Sequence, residues 1–217
     1  KWSILGHSYG GMLAAVYAHS YPNSVHKIIL ECPSLWFEDS ARSTAEYLSE
    51  HIHSLNDEQA NKLCEKIKFE DYQDKTEIVW DLSTLLGYVT DMELRFYLYG
   101  VTLEEYEMSM DTTDIADELW SKGERHLKKL LETQPAQAGS MQKRVLMIDN
   151  LLPVIPTISA PMLLINGKHD PVCTKNQIEY IMNNAQNVTQ VVFEDSGHFP
   201  RIEEATKYTN AVWSFLI

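Results

Sequence analysis

Cysteine is scarce in this chain: there are three in 217 residues. Cys32, Cys64 and Cys173 are too scattered for a disulfide framework or for a zinc site built on CxxC spacing. They read as idle thiols in a reducing, cytoplasmic setting, and no metal or organic cofactor is expected. Long apolar runs are also missing. Stretches such as Val145 to Ile148 and Met162 to Ile165 fall far short of the roughly 20 residues that cross a bilayer, so no membrane span is expected. Lys1 to Leu5 lead straight into a glycine turn without the apolar run and small-residue cleavage site of a secretory signal, so no targeting signal is expected. Basic residues are few, 18 Lys and Arg against 31 Asp and Glu, for a net charge of −13. That balance argues against nucleic acid or an anionic membrane surface as partner, because both need basic patches.

With 44% hydrophobic side chains, the chain can still bury a substantial core. The charge is unevenly spread. Ser34 to Ile155 holds 24 acidic and 12 basic residues, leaving 7 and 6 elsewhere. Outside this acidic stretch the pattern alternates strand and helix. Trp2 to Leu5 is a β-type run, a glycine turn follows, and Met12 to Ala18 is helix-forming. Pro22 and Asn23 stop that helix, and Val25 to Leu30 reads as a buried parallel strand. Pro161 introduces a strand over Met162 to Asn166. A helix is expected over Lys175 to Asn183, a last strand over Val188 to Phe193, and a closing helix over Glu203 to Leu216. No internal repeat or low-complexity tract interrupts the chain.

From Trp36 to about Thr133 the spacing is that of amphipathic helices. Their starts are marked by Asn56 or Asp57 before Glu58, and by Thr102 before Glu104 and Glu105. Gln134 to Ser140 is a breaker-rich connector, after which one more helical stretch leads to Pro153 and Pro156. The expected organisation is an α/β core over residues 1–35 and 156–217 with a helical cap inserted over residues 36–155.

Gly6-His7-Ser8-Tyr9-Gly10 lies between a strand and a helix. This Gly-x-Ser-x-Gly spacing forms a nucleophile elbow, whose tight turn holds the serine in a strained conformation and asks for small residues on both sides. Gly11 permits close helix packing. The helix behind Ser8 aims its first amides and its positive dipole end at the site, so the Tyr9 N–H is an expected oxyanion donor.

A serine nucleophile needs a base to take its proton and an acid to orient the base. Asp170, in Gly167-Lys168-His169-Asp170-Pro171-Val172, and His198, in Ser196-Gly197-His198-Phe199, each follow a strand, in the chain order Ser, Asp, His. Asp195 is the rival acid, but it sits three residues from His198 on the strand that carries it, too close to reach Nδ1 squarely. His7 reads as a structural residue or pocket wall and Trp36 as a wall of the acyl pocket. His19, His26, His51, His53, His126 and His169 read as surface or boundary residues.

These three motifs with a helical insertion between the first two resemble α/β-hydrolases of the proline iminopeptidase group. The resemblance implies the α/β-hydrolase fold and an acyl-enzyme mechanism. It also implies a cap whose carboxylates bind the substrate's free α-amino group, for which Glu104, Glu105 and Glu107 are candidates. Such hydrolases carry four strands before the elbow, including a His-Gly-type loop that supplies a second oxyanion N–H. Here the elbow begins at residue 6, so the expectation is the C-terminal half of a mostly parallel sheet. Its elbow strand would have an open edge, and a complementing N-terminal segment would be needed for activity. The expected substrate is a short peptide that loses its N-terminal residue. A carboxylic ester or lactone is the alternative within the same mechanism. A ligand-binding module that keeps the fold without turnover, or an incomplete fragment, is the alternative outside it.

Overall fold

In the computed structural model, which describes residues 1–51, 57–89 and 149–217, four strands form one fully parallel sheet. They are β1 (Trp2–His7), β2 (Val25–Glu31), β3 (Met162–Gly167) and β4 (Val188–Phe193), hydrogen-bonded in that order. The chain divides into two compact units, Lys1–Val101 with Met147–Ile217, and Thr102–Leu146; the second lies outside the described residues. So do the expected helix start at Thr102 and the connector at 134–140.

Alternation along β2 and β3 sets the two faces of the sheet. Ile28, Leu30, Met162 and Leu164 pack with Met12, Ala14, Ala15 and Ala18 of helix α1 (Tyr9–Ser20) and with Ile181 of α5 (Lys175–Asn184). Ile29, Leu163, Ile165 and Phe193 face the other way, onto Tyr208, Ala211, Val212 and Phe215 of α7 (Ala205–Leu216). Helices therefore cover both faces of the two central strands, which explains the unbroken apolar runs Ile28 to Leu30 and Met162 to Ile165 within them. β1 ends the sheet, with Trp2 73% and Leu5 46% exposed along an open edge.

Within the same unit, α2 (Phe37–His51), α3 (Glu58–Phe69) and α4 (Thr76–Leu86) share a second apolar cluster that includes Ala45, Leu48, Cys64, Ile67, Ile78 and Leu85. Asp57 caps α3, its side chain accepting the N–H groups of Gln59 and Ala60. The chain leaves and rejoins the sheet region at one place. Trp36 bridges Asn150 in antiparallel fashion, and the Leu151 N–H donates to the Leu35 carbonyl at 2.8 Å. Leu151, Leu152 and Ile155 then join the main core through a 3-10 turn over Leu152–Thr157, so the return to the core precedes residue 155. Buried Gln177 of α5 fastens this junction, its Oε1 accepting the N–H groups of Leu35 and Trp36.

The closing helix differs from its sequence expectation. It is two helices, α6 (Pro200–Glu203) and α7, broken at Glu204, whose φ of −127° and ψ of 52° are not helical. The side chains of Glu203 and Glu204 at this break turn back onto the 195–199 loop. No helix among the described residues is long and apolar enough to cross a membrane.

Candidate active site

Parallel strands place all their carboxyl ends on one edge of the sheet, where α/β folds gather functional groups. Ser8 follows β1, Asp170 follows β3 and His198 follows β4, so all three emerge there.

Ser8 has φ 53° and ψ −120°, a left-handed conformation worth about 1–3 kcal/mol of strain in a residue with a Cβ. Two backbone bonds hold it, from Ser8 N–H to the Glu31 carbonyl and from Gly11 N–H to the Ser8 carbonyl, both 2.9 Å. A Cβ on Gly6 would lie 2.2 Å from the Gly10 carbonyl oxygen, and one on Gly11 would lie 2.9 Å from Pro33 Cβ. A Cβ on Gly10 would meet nothing within 4 Å. The steric demand of the elbow therefore falls on Gly6 and Gly11, whereas the sequence pattern placed it on both flanking glycines of the pentapeptide. Tyr9 opens α1, so its N–H has no carbonyl one turn earlier to bond and points from the positive end of the helix.

Asp170 and His198 are both buried. His198 Nδ1 lies 2.9 Å from Asp170 Oδ2, and the Val172 N–H donates to Asp170 Oδ1 at 2.8 Å. With Nδ1–H donating to the carboxylate, the Nε2 lone pair is left as the acceptor. Asp195 does not partner His198; its own N–H is directed to Glu204 Oε2.

Ser8 and His198 line one cavity of about 210 Å³ with Tyr9, Met12, Ser34, Phe37, Ser40, Thr44, Leu82, Leu86 and Val172. Among the described lining residues there is no carboxylate and no basic side chain apart from the imidazole. Buried Ser34 and Ser40 are joined at 2.8 Å, and Ser40 Oγ donates to the Val172 carbonyl at 2.7 Å, so the polar side of the wall is internally bonded.

Neither Trp36, read from sequence as a pocket wall, nor His7, read as a structural residue or pocket wall, is among the residues lining this cavity. The Trp36 side chain packs against the main core, and its neighbour Phe37 takes the wall. His7 sits behind the site, its ring centroid 4.7 Å from those of both His198 and Phe199. Burial, with the nearby His198 and Arg201, lowers its pKa from 6.5 to about 4. The neutral ring donates Nε2–H to the His198 carbonyl at 2.9 Å. Glu104, Glu105 and Glu107 lie outside the described residues.

Several supporting residues had no motif to announce them. Fully buried Glu31, at the end of β2, accepts from Arg201 Nη1 at 2.9 Å and Tyr208 OH at 3.0 Å. Gly167 ends β3, where a Cβ would fall 1.9 Å from the Gly197 carbonyl oxygen, so only a bare backbone lets the His198 loop close down. The glycine at a strand end was the available signal. Glu203 and Glu204 bind the loop itself, and two adjacent acids just after Pro200 were theirs. Burial first, then the charges of Asp170 and Glu204, push the Glu203 carboxyl up, against the amides of Gly197 and Phe199 that stabilise its charged form.

Cys32 Sγ, an Asp170 oxygen and a His198 nitrogen lie within 4.8 Å of one another, close enough in principle to ligate a metal ion. Burial and the charge of Asp170 hold the Cys32 thiol well above its ordinary pKa, and its Sγ–H is directed at the Gly197 carbonyl at 3.9 Å.

A family model described as serine aminopeptidase, S33, matches residues 1–204. A search of curated proteins found no match. Among solved structures, VinJ aligns with a TM-score of 0.60 at 14% identity, over 100% of this chain and 65% of its own. The proline iminopeptidase of Mycobacterium smegmatis aligns with a TM-score of 0.60 at 18% identity, over 100% and 64%. An α/β fold family hydrolase from Bacillus anthracis str. Sterne aligns with a TM-score of 0.58 at 20% identity, over 99% and 66%. The chain thus spans about 65% of the length of the structures it resembles, and at these identities the likeness is one of fold. With the parallel sheet, the elbow and the family match over residues 1–204 together, the chain belongs to the serine aminopeptidase S33 family of α/β hydrolases.

Proposed function

We propose that this chain carries the catalytic groups of a serine hydrolase that works through an acyl-enzyme and releases the N-terminal residue of short peptides. The observation that carries the reading is the Asp170–His198 hydrogen bond of 2.9 Å, beside a strained Ser8 that shares its cavity with His198. Ser8 Oγ attacks the carbonyl carbon while its proton passes to His198 Nε2, and Asp170 stabilises the imidazolium. The Tyr9 N–H receives the developing oxyanion. The tetrahedral intermediate then breaks its C–N bond, and His198 returns the proton to the leaving amine. Water, deprotonated by the same imidazole, attacks the acyl carbon and frees Ser8.

The family description and the iminopeptidase among the structural neighbours support the peptidase choice. In this reading the substrate's α-amino group is met by a carboxylate of the acidic stretch, with Glu104 and Glu105 as candidates. A second oxyanion donor comes from a complementing segment that pairs with the open edge of β1. A carboxylic ester or lactone is the second reading, favoured by the apolar wall of Met12, Phe37, Leu82, Leu86 and Val172.

The test is turnover of prolyl and alanyl arylamides beside a short-chain aryl ester, by the full-length protein and its Ser8→Ala variant. Aminoacyl amide turnover that vanishes in the variant supports the peptidase reading. Strong ester turnover with none on any aminoacyl amide overturns it in favour of an esterase.

A further inference from the structure

The loop from Asp195 to Phe199 has no regular structure of its own, yet its peptide groups around His198 are fastened from several sides. Glu203 Oε2 accepts the Gly197 N–H at 2.6 Å and Oε1 accepts the Phe199 N–H at 2.9 Å, so a single carboxylate brackets His198. His7 Nε2–H donates to the His198 carbonyl at 2.9 Å, and Cys32 Sγ–H approaches the Gly197 carbonyl at 3.9 Å. Glu204 holds the preceding turn through Ser196 Oγ at 2.7 Å.

Two bonds to one ionised acceptor are each stronger than neutral amide bonds, and together they fix orientation as well as position. The chain gives up helical continuity at Glu204 where these carboxylates face the loop.

We propose that Glu203 is a positioning residue for His198. Its carboxylate sets the two peptide planes that flank the imidazole, so that Nδ1 meets Asp170 while the ring borders the cavity it shares with Ser8. This rests on the reading of His198 as the base. Glu203 touches neither substrate nor reacting atoms; it acts through the geometry of its neighbour, and a misplacement of about 1 Å in a reacting group costs about 10²-fold in rate.

The test compares wild type, Glu203→Ala and Glu203→Gln in the full-length protein. The readouts are the rate of Ser8 labelling by a fluorophosphonate, kcat and KM on the aryl ester or arylamide that wild type turns over, and the proton NMR signal of His198 Nδ1–H. Thermal unfolding is followed alongside. For Glu203→Ala the expected result is a fall of about 10²-fold in kcat and in labelling rate, with KM within about threefold and the Nδ1–H signal shifted or broadened in a folded protein. Glu203→Gln should fall between, since it keeps one acceptor oxygen but sets an NH2 group against the other amide.

Labelling within about threefold of wild type with an unchanged Nδ1–H signal would overturn the proposal. So would a loss of activity that only tracks loss of folded protein. Should the alanine variant not fold, the glutamine variant is judged by the same criteria. A wild-type protein that shows the Nδ1–H signal but never labels would defeat the hydrolase reading instead, and the NMR comparison would still decide the role of Glu203.

Discussion

Replacing His7 by Gln removes a titratable ring while keeping a side-chain N–H that can reach the His198 carbonyl. In the native protein His7 takes up a proton only near pH 4, because the ring is desolvated and lies beside His198 and Arg201; the free side chain does so near 6.5. Between those values the unfolded chain binds more protons than the folded one, so falling pH favours unfolding. The stability associated with a neutral His7 is fully present above pH 6.5, declines below it, and is gone near pH 4. At about 1.4 kcal/mol per pH unit the full gap is worth about 3 kcal/mol, and water at the partly exposed ring reduces this to about 2 kcal/mol. Urea unfolding of wild type and His7→Gln at a series of pH values from about 7.5 down to about 4.5 measures it, since titrating groups that do not interact with His7 cancel in the difference. Wild type should lose about 2 kcal/mol relative to the variant across that range. A difference that stays constant to within about 0.5 kcal/mol would refute the argument that His7 is held neutral behind the site.

Four further substitutions test the framework. Gly6→Ala should destabilise by about 2–4 kcal/mol in thermal or urea unfolding, because its Cβ would lie 2.2 Å from backbone; Gly10→Ala, with open space around it in α1, should be neutral or stabilising by up to about 1 kcal/mol. Asp170→Asn should fold normally and lower kcat by about 10⁴-fold through loss of the correct imidazole tautomer, measured on whichever ester or arylamide wild type turns over. Arg201→Met should cost about 3 kcal/mol in urea unfolding, because it removes the cation from the fully buried carboxylate of Glu31 and leaves it, among the described residues, the Tyr208 hydroxyl alone.

The strands, the elbow and its partners were legible because each had a local signature. Apolar runs over 28–30 and 162–165 marked doubly covered strands, and Asn56 or Asp57 marked a helix start that the Asp57 carboxylate caps in the structure. Asp170 was separable from Asp195 by chain distance alone, and the structure places it on Nδ1. What local pattern could not convey was tertiary competition. Residues 203–216 have the periodicity of one helix, but the structure breaks it at Glu204, where Glu203 and Glu204 bond the His198 loop. From sequence, His7 reads as a structural residue or a pocket wall, and Trp36 as a wall of the acyl pocket. Packing between His198 and Phe199 took the first, and the main core took the second. The support from Glu31 joins residues 170 and more positions apart in sequence, beyond the reach of any spacing rule.

The central claim is that Ser8 is a nucleophile activated by His198. Fluorophosphonate labelling of the folded full-length protein, followed by mapping of the modified peptide, tests it most directly. The account predicts a single adduct on Ser8, absent in Ser8→Ala and formed far more slowly in His198→Ala. A folded protein that takes up no label, or an adduct that maps to another serine, would contradict it.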